Sequence, residues 1–496
     1  MTKSTLSQFF EKNFICFAIL VCLLGAGLRF YNYGNRWGLA YDQAHDALVA
    51  RGALDQAKIP LVGPFSSAGP FQTGGEWYWL IMMGTQFGSG RVIAPWIFLT
   101  ALYVLYVALL IYFGKELKGK LFGLILGLLG AVSTAQIAQS VSLTNQTPLA
   151  FLSLLALWSG IRCIKTKNTI YFFTLGFIIS LAASIHLQGV ALGSIIPVVF
   201  IFTGLPSFRQ IIAVSIGLLL PALPLLIFDV QNDFINIRHM MQYYLVDQYK
   251  ISLDVLGRRW STYLSQFWLK EWAYTIGGYS YVALMIIVTG ITGYAYSLLK
   301  KENTRTWGFV GACFILLVTI IRYARVPLFD SFVSFTNPFV LILTALSIYF
   351  LFKHIKPAGV VIFIVILVCT MIPTVREVTH GVNLTAEESV RVKSAVYQKV
   401  PFASYAVYDY KYLTAGFSLP IVLYLHADGR ISDSGKKIGI AVSGSGTHWT
   451  EITSSGGRTL YDLSGSSSAE LKSYGWQLVN PSGIYLETEE WRQYHK

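Results

Sequence analysis

The chain has 496 residues, of which 54% are hydrophobic and 13% charged, with a formal net charge of +13. A soluble domain carries roughly 25% charged residues, so this composition excludes an ordinary soluble protein; apolar runs of roughly 20 residues predict a polytopic membrane protein. Much of the positive excess sits in short loops between apolar runs, where it sets orientation, and is not read as nucleic-acid affinity.

Met1 to Lys12 followed by the apolar stretch 14–28 has the charge order of a signal peptide, but no small-residue cleavage pattern follows, so it reads as an uncleaved first span. About eleven spans follow the length rule, near 14–30, 92–113, 120–138, 147–163, 169–185, 189–204, 211–228, 279–298, 307–322, 333–352 and 358–374. Segment 77–88 is too short to cross and is expected to dip into the interface. Cys16, Cys22, Cys163, Cys313 and Cys369 all lie in or beside apolar runs, which argues against a disulfide framework or a cysteine zinc site.

Lys3 and Lys12, then Lys115, Lys118 and Lys120, then Arg162, Lys165 and Lys167, recur at alternate loops, continued by Arg209, Lys300, Lys301, Arg305, Lys353 and Lys356. The short loops near 139–147 and 185–189 carry no Lys or Arg. This is the positive-inside pattern, and it predicts a cytoplasmic N-terminus in an integral cell membrane protein. Loops 31–91, 229–278 and 323–332, with the tail from 375, then face outward.

Within the first outer loop, Asp42 to Gln56 reads as a helix whose apolar side is Ala44, Ala47, Leu48, Ala50, Ala53 and Leu54. Asp42 and Asp46 are four apart and share one face. Pro60, Pro64, Pro70 and Gly74-Gly75 then interrupt regular structure. Beyond Thr374 the composition turns polar, with strand-like pieces SYAVYDY, IVLYLH and KIGIAV and a short helix near 391–399. The chain therefore divides into a transmembrane region, 1–374, and a small soluble extracytoplasmic α+β domain, 375–496, large enough for its own core.

Acids are scarce inside the spans, where each costs about 2.5–3.5 kcal/mol to insert. They collect instead at the outer ends with cations and aromatics, among them Arg238, His239, Tyr243, Arg258, Arg259, Trp260, Arg322 and Arg325. A membrane face with carboxylates, cations and aromatic rings suits a lipid-linked sugar, whose phosphate needs Arg or Lys and whose tail lies in the bilayer. Transfer from such a donor needs a base for the acceptor hydroxyl and positive charge on the departing phosphate. Asp42 is the candidate base, against a bland role as helix cap. Asp46 and Glu76 are candidates for acceptor or metal binding; Arg258, Arg259, Arg322 and Arg325 for donor phosphate; His186, Gln188, His239 and Tyr243 for lining the site. The residues assign no cofactor and leave a divalent cation open.

LRFYNYGNRWGLAYDQAHDALVARGAL (28–54), IPLVGPFSSAGP (59–70) and GGEWYWLI (74–81) resemble the GT-C superfamily of integral-membrane glycosyltransferases. Within it they are similar to the glycosyltransferase family 39 branch, which includes protein O-mannosyltransferases and aminoarabinose transferases. Supporting stretches are 142–158, 185–199, 223–240 and 332–343, so the resemblance covers about 14–375. It implies a GT-C-like α-helical membrane fold, a polyprenyl-phosphate sugar donor and inversion at the anomeric carbon. The acceptor is left as a protein, glycan or lipid. Three departures stand out. Asp42-Gln43 replaces the Asp-Glu often found in the family, Gly75-Glu76 replaces a Gly-Pro, and Arg322-Tyr323, Arg325 and Asp330 are the nearest counterparts of a late Arg-Tyr. The alternatives are a transporter or flippase of lipid-linked glycans, a non-catalytic membrane subunit, or a polysaccharide polymerase or ligase using a diphosphate-linked donor.

Overall fold

A computed structural model describes residues 12–66, 71–243, 245, 260–301, 303–323, 330–381, 384–410, 415–442, 449–455 and 458–479. The helices begin with α1 (Phe14–Phe30) and α2 (Tyr41–Asp55). An antiparallel hairpin, β1 (Val62–Phe65) and β2 (Gln72–Gly74), leads into α3 (Glu76–Phe87). The bundle continues with α4 (Ala94–Lys118), α5 (Lys120–Val132), α6 (Thr134–Ser140), α7 (Leu149–Thr166), α8 (Thr169–Ile185), a 3-10 turn (Leu187–Ser194) and α9 (Ile195–Thr203). Then come α10 (Phe208–Gln231), α11 (Ile235–Gln242), α12 (Leu269–Thr275), α13 (Ser280–Leu299), α14 (Thr304–Tyr323), α15 (Asn337–His354) and α16 (Lys356–Thr379).

All eleven apolar runs are helical, but they are not eleven full-length spans. Among the described residues seven helices are long and apolar enough to cross a membrane, or eight if α5 and α6, bent by 58°, count as one. The others are shorter: α1 and α8 have 17 residues each, a length of roughly 25 Å against a hydrocarbon core of about 30 Å. Apolar composition registers a run, whereas the helix ends where capping and turns begin. Asn168 caps α8 at one end and His186 leaves helical geometry at the other. The 12-residue α3 is too short to cross, as its sequence suggests.

Close helix approach is built with small residues. A Cβ on Gly176 would lie 2.4 Å from the Val214 carbonyl oxygen and one on Gly217 2.3 Å from that of Phe173, so α8 and α10 meet backbone to backbone. The bend between α5 and α6 is held by a buried cation. Arg29 Nη1 donates to the carbonyls of Gly25 and Ala131, both at 3.1 Å, and Nη2 to that of Gly130 at 3.0 Å. A guanidinium thereby sits on the last carbonyls of α5, where the helix dipole favours positive charge. Arg36 does the same for α1, donating to the carbonyls of Leu28, Arg29 and Tyr31.

After α17 (Leu384–Lys399), strands β3 (Tyr405–Tyr410), β4 (Lys436–Val442), β5 (Thr450–Ser455), β6 (Arg458–Asp462) and β7 (Trp476–Leu478) form a sheet in the order β5-β6-β4-β3-β7. Only β3 and β4 are parallel, joined by α18 (Ala415–Ala427). SYAVYDY and KIGIAV are strands as their sequences suggest. IVLYLH is not: it lies inside α18, with Ile421, Val422, Leu423 and Leu425 all buried. A short apolar run does not distinguish a buried strand from a buried helix, and the crossover between parallel strands requires a helix here. The 391–399 helix also starts earlier than its sequence suggests, at Leu384. Tyr405, Val407, Ile438 and Ile440 continue the core of the helical bundle, while Tyr408, Ala441, Tyr461 and Trp476 make a separate cluster on the opposite face. Helix α18 packs on α2, where His426 Nε2 lies 3.2 Å from Asp55 Oδ2.

Replacing Arg29 by Met should leave the Gly130 and Ala131 carbonyls without a donor. Hydrogen bonds to a charged group are worth about 1.5–3 kcal/mol, so the thermal midpoint in detergent is expected to fall by several degrees, with the hydrophobic volume retained.

Candidate active site

Helix α2 starts at a break in the chain direction. Ala40 is extended, and the Gln43 side chain turns back to accept from the Ala40 N–H at 3.1 Å, closing the first turn. Asp42 occupies that first turn and is exposed, a placement the helix dipole favours for a carboxylate. One turn on, Asp46 is buried. Its Oδ2 accepts the Trp77 indole N–H at 2.7 Å and its Oδ1 lies 3.1 Å from His45 Nδ1. Tyr41 stacks on the His45 ring, centroids 6.2 Å apart. Burial pushes the Asp46 carboxyl above its usual range, against the pull of His45 and Trp77 and with a further push from Asp42. Asp46 thus ties α2 to α3, and both its oxygens are engaged within the protein.

Glu76 opens α3 and is only 5% exposed, yet among the described residues neither carboxyl oxygen has a side-chain hydrogen-bond partner. Burial pushes its pKa up to about 7, with its own backbone N–H pulling the other way. The carboxyl lies against β2 and the end of α8. A Cβ on Gly74 would come within 2.3 Å of Glu76 Oε2 and 2.9 Å of Ser184 Cβ, so glycine at 74 makes room for the acid. Gln72 Oε1 and Thr73 Oγ1, on the same strand, are also buried and unpartnered. Leaving each such group unbonded costs about 1–3 kcal/mol.

The hairpin is fixed from the other side. Asn236 of α11 accepts from the Gln72 N–H at 2.6 Å and donates to the Gln72 carbonyl at 3.1 Å, as a neighbouring strand would. Asp229, at the end of α10, in turn accepts from the Asn236 N–H at 2.8 Å. Tyr243, just past the end of α11, packs its ring 5.4 Å from Phe71, and His239 lies on α11. Beyond α8, His186 Nδ1 accepts from the Gln188 N–H at 3.2 Å, and the ring's Nε2 lies 3.2 Å from the Gln146 side-chain nitrogen. Burial pulls the His186 pKa down to about 4, so the ring is neutral at physiological pH. Both polar side-chain atoms of Gln188 are buried without a partner.

Arg322, in the last turn of α14, stands over the rings of Trp260, Tyr263 and Tyr323, at 5.7, 5.7 and 5.8 Å. Among the described residues its Nε and Nη2 have no hydrogen-bond partner. Arg258, Arg259 and Arg325 fall outside the described residues. Among the described residues no three His, Cys, Asp or Glu side chains are grouped as metal ligands. Sequence reasoning brings out Asp42, Asp46 and Glu76 on adjoining elements but misses His45, Gln72, Thr73, Trp77 and Asn236. The adjacency of His45 and Asp46 is visible in the sequence; nothing in it marks Asn236 as the partner of a strand 164 positions away.

The raised pKa of Glu76 carries a definite sign. The unfolded carboxyl ionises near 4.5 and the folded one near 7, so the native state holds the extra proton and stability falls as pH rises through that window. Above it the penalty is roughly 3 kcal/mol. Glu76→Gln should therefore raise the thermal midpoint relative to wild type at pH 8 and change it little at pH 4.5, read by unfolding in detergent across that range.

No family model matches the chain, and no curated protein matches it in sequence. Solved structures do. The apo ArnT structure from Cupriavidus metallidurans aligns with a TM-score of 0.61 at 10% identity, over 92% of this chain and 98% of that one. Its undecaprenyl phosphate complex aligns with a TM-score of 0.59 at 10% identity, over 90% and 97%. The apo oligosaccharyltransferase of Archaeoglobus fulgidus gives 0.54 at 13% identity, over 85% of this chain and 64% of the archaeal one, so this chain spans about two thirds of that enzyme's length. At these identities the likeness concerns architecture alone: the chain shares the fold of ArnT and of the archaeal oligosaccharyltransferase.

Proposed function

We propose that this chain is a membrane glycosyltransferase that moves a sugar from a polyprenyl-phosphate donor to an acceptor hydroxyl on the extracytoplasmic face, with inversion. The observation that carries the reading is the alignment with ArnT over nearly the whole of both chains, including a complex of that protein with undecaprenyl phosphate. The positive-inside charge pattern supports a cytoplasmic N-terminus, which puts α2, the hairpin and the sheet of residues 405–478 outside. We take the chain from 375 onward as an outer domain covering α2.

In this mechanism Asp42 accepts the proton of the acceptor hydroxyl as its oxygen bonds to the anomeric carbon. The bond between that carbon and the phosphate oxygen breaks, and the electron pair leaves with polyprenyl phosphate. Asp42 suits the role because it is exposed while the acid one turn away is buried and bonded. Asp46 holds α2 in register with α3 and takes no part in proton transfer. Arg322 is the described cation for the departing phosphate, its guanidinium fixed by three rings and with nitrogens to spare. Arg258, Arg259 and Arg325 are assigned the same phosphate on charge alone. His186, Gln188, His239 and Tyr243 line the approach, and the acceptor is a protein, a glycan or a lipid.

The test is to incubate the purified full chain in lipid with a panel of polyprenyl-phosphate sugars and measure released polyprenyl phosphate. Wild type is expected to turn over at least one donor, and Asp42→Asn to lower the rate by about 10²-fold or more. Release at the wild-type rate by Asp42→Asn would remove Asp42 from catalysis. Movement of intact donor across the bilayer without release would make the chain a flippase.

A further inference from the structure

The end of the bundle that the charge pattern makes cytoplasmic carries a concentration of charge of its own, away from the transfer chemistry. Between Glu271 and Glu377 the sequence has two acids, Glu302 and Asp330. Asp330 opens the 3-10 stretch between the outer ends of α14 and α15, and Glu302 lies outside the described residues. Against Glu302 stand Lys300, Lys301, Arg305, Lys353 and Lys356, at the inner ends of α13 to α16. One carboxylate leaves that group strongly positive whatever pair it makes. Arg305 lies in the first turn of α14 and Arg322 in its last, so about 25 Å of helix separates these cations from the phosphate assigned to Arg322.

The packing of α13 on α15 focuses part of this charge. A Cβ on Gly293 would lie 2.9 Å from Phe350 Cβ, and one on Gly290 3.2 Å from the Leu343 carbonyl oxygen, so the two helices stay close into their last turns. Tyr296 of α13 is thereby set against Phe350 and His354 of α15, with ring centroids 5.4 and 4.5 Å away. Lys300, which ends α13, and Lys353, in the last turn of α15, each hold an ammonium group 5.9 Å from the Tyr296 ring centroid. The two like charges are therefore no further apart than twice that distance. Lys118 of α4 reaches the same helix end and donates to Ser297 Oγ at 3.3 Å. Contacts to a ring are weak at exposed sites and neutralise no charge.

The surface beside this cluster is apolar. Helix α13 exposes Leu284, Val288, Ile291 and Leu299, spaced as one helical face, and α16 exposes Val361, Ile364 and Val368. Both helices are long and apolar enough to cross a membrane, and both pack on α15. An apolar lane that ends in paired ammonium groups matches a molecule with acyl chains and a negative headgroup. We propose that Lys300 and Lys353, brought together around Tyr296, bind the phosphate of an anionic phospholipid whose chains lie along the exposed face of α13. The site is independent of the transfer reaction, so neither proposal falls with the other.

The experiment offers the delipidated full chain, in detergent, an equal mixture of phosphatidylglycerol and phosphatidylcholine and counts the retained lipids by native mass spectrometry. Wild type should retain phosphatidylglycerol in preference. Lys300→Gln with Lys353→Gln should cut that preference by about tenfold or more. Lys165→Gln with Lys167→Gln, in another basic loop of the same face, should leave it intact. Lys300→Arg with Lys353→Arg keeps both charges and should keep the preference, which distinguishes a lipid site from a folding defect. An intact preference in the first Gln pair, or an equal loss in both Gln pairs, overturns the site and returns these lysines to the general basic face. Soluble glycerol 3-phosphate added to wild type should displace none of the retained lipid. Full displacement by it would make the ligand a free phosphate and overturn the lipid assignment.

Discussion

Trp77 donates its indole hydrogen to Asp46, and through that bond the helix bearing Asp42 is fixed to the helix that opens with Glu76. A carboxylate buried to this degree is unfavourable unless its oxygens are bonded, and here both are, to Trp77 and to His45. The same burial that makes the bond costly to lose makes it directional. An indole N–H in a dry site has one acceptor, so α2 and α3 meet in one register. The exposed acid, Asp42, and the orphaned one, Glu76, inherit their relative placement from this contact.

The bundle beneath supplies a rigid seat. Arg29 and Arg36 place guanidinium groups on the terminal carbonyls of α5 and α1, so helices can stop in buried positions without leaving acceptors unbonded. That lets short and broken helices stand beside full spans and leaves irregular chain at one end of the bundle: the hairpin, the 3-10 turn after α8 and the stretch 330–336. Irregular backbone in a membrane protein is tolerated where protein or water, not lipid, meets its polar groups. From above, α18 lies along α2, and the sheet behind it shares its core with the helices.

Much of this was legible in the residues. The alanine and leucine spacing of 44–54 marks α2, and strand-like alternation marks β3 and β4. The GT-C resemblance carried on 28–81 corresponds to the fold found. What was not legible has a physical reason in each case. IVLYLH is buried on every side, so it carries no period to separate helix from strand. The expectation of eleven spans counts apolar runs, and hydropathy does not record that α8 stops at His186 or that Ser133 breaks α5 from α6. Asp46 reads as a free second acid because the sequence does not show that Trp77 is opposite it. Glu76 reads as one acid among several in a polar loop; only the fold shows that it is buried, with no side-chain partner among the described residues.

Catalysis by Asp42 on a lipid-linked sugar requires one geometry that no amount of binding data supplies. A structure of the full chain in lipid with a non-transferable polyprenyl-phosphonate hexose would measure it directly. The account predicts the phosphonate at Arg322 and Asp42 separated from the anomeric carbon by the width of one attacking hydroxyl, roughly 5–6 Å. A sugar lodged at the opposite end of the bundle, or an anomeric carbon facing away from α2, would contradict it.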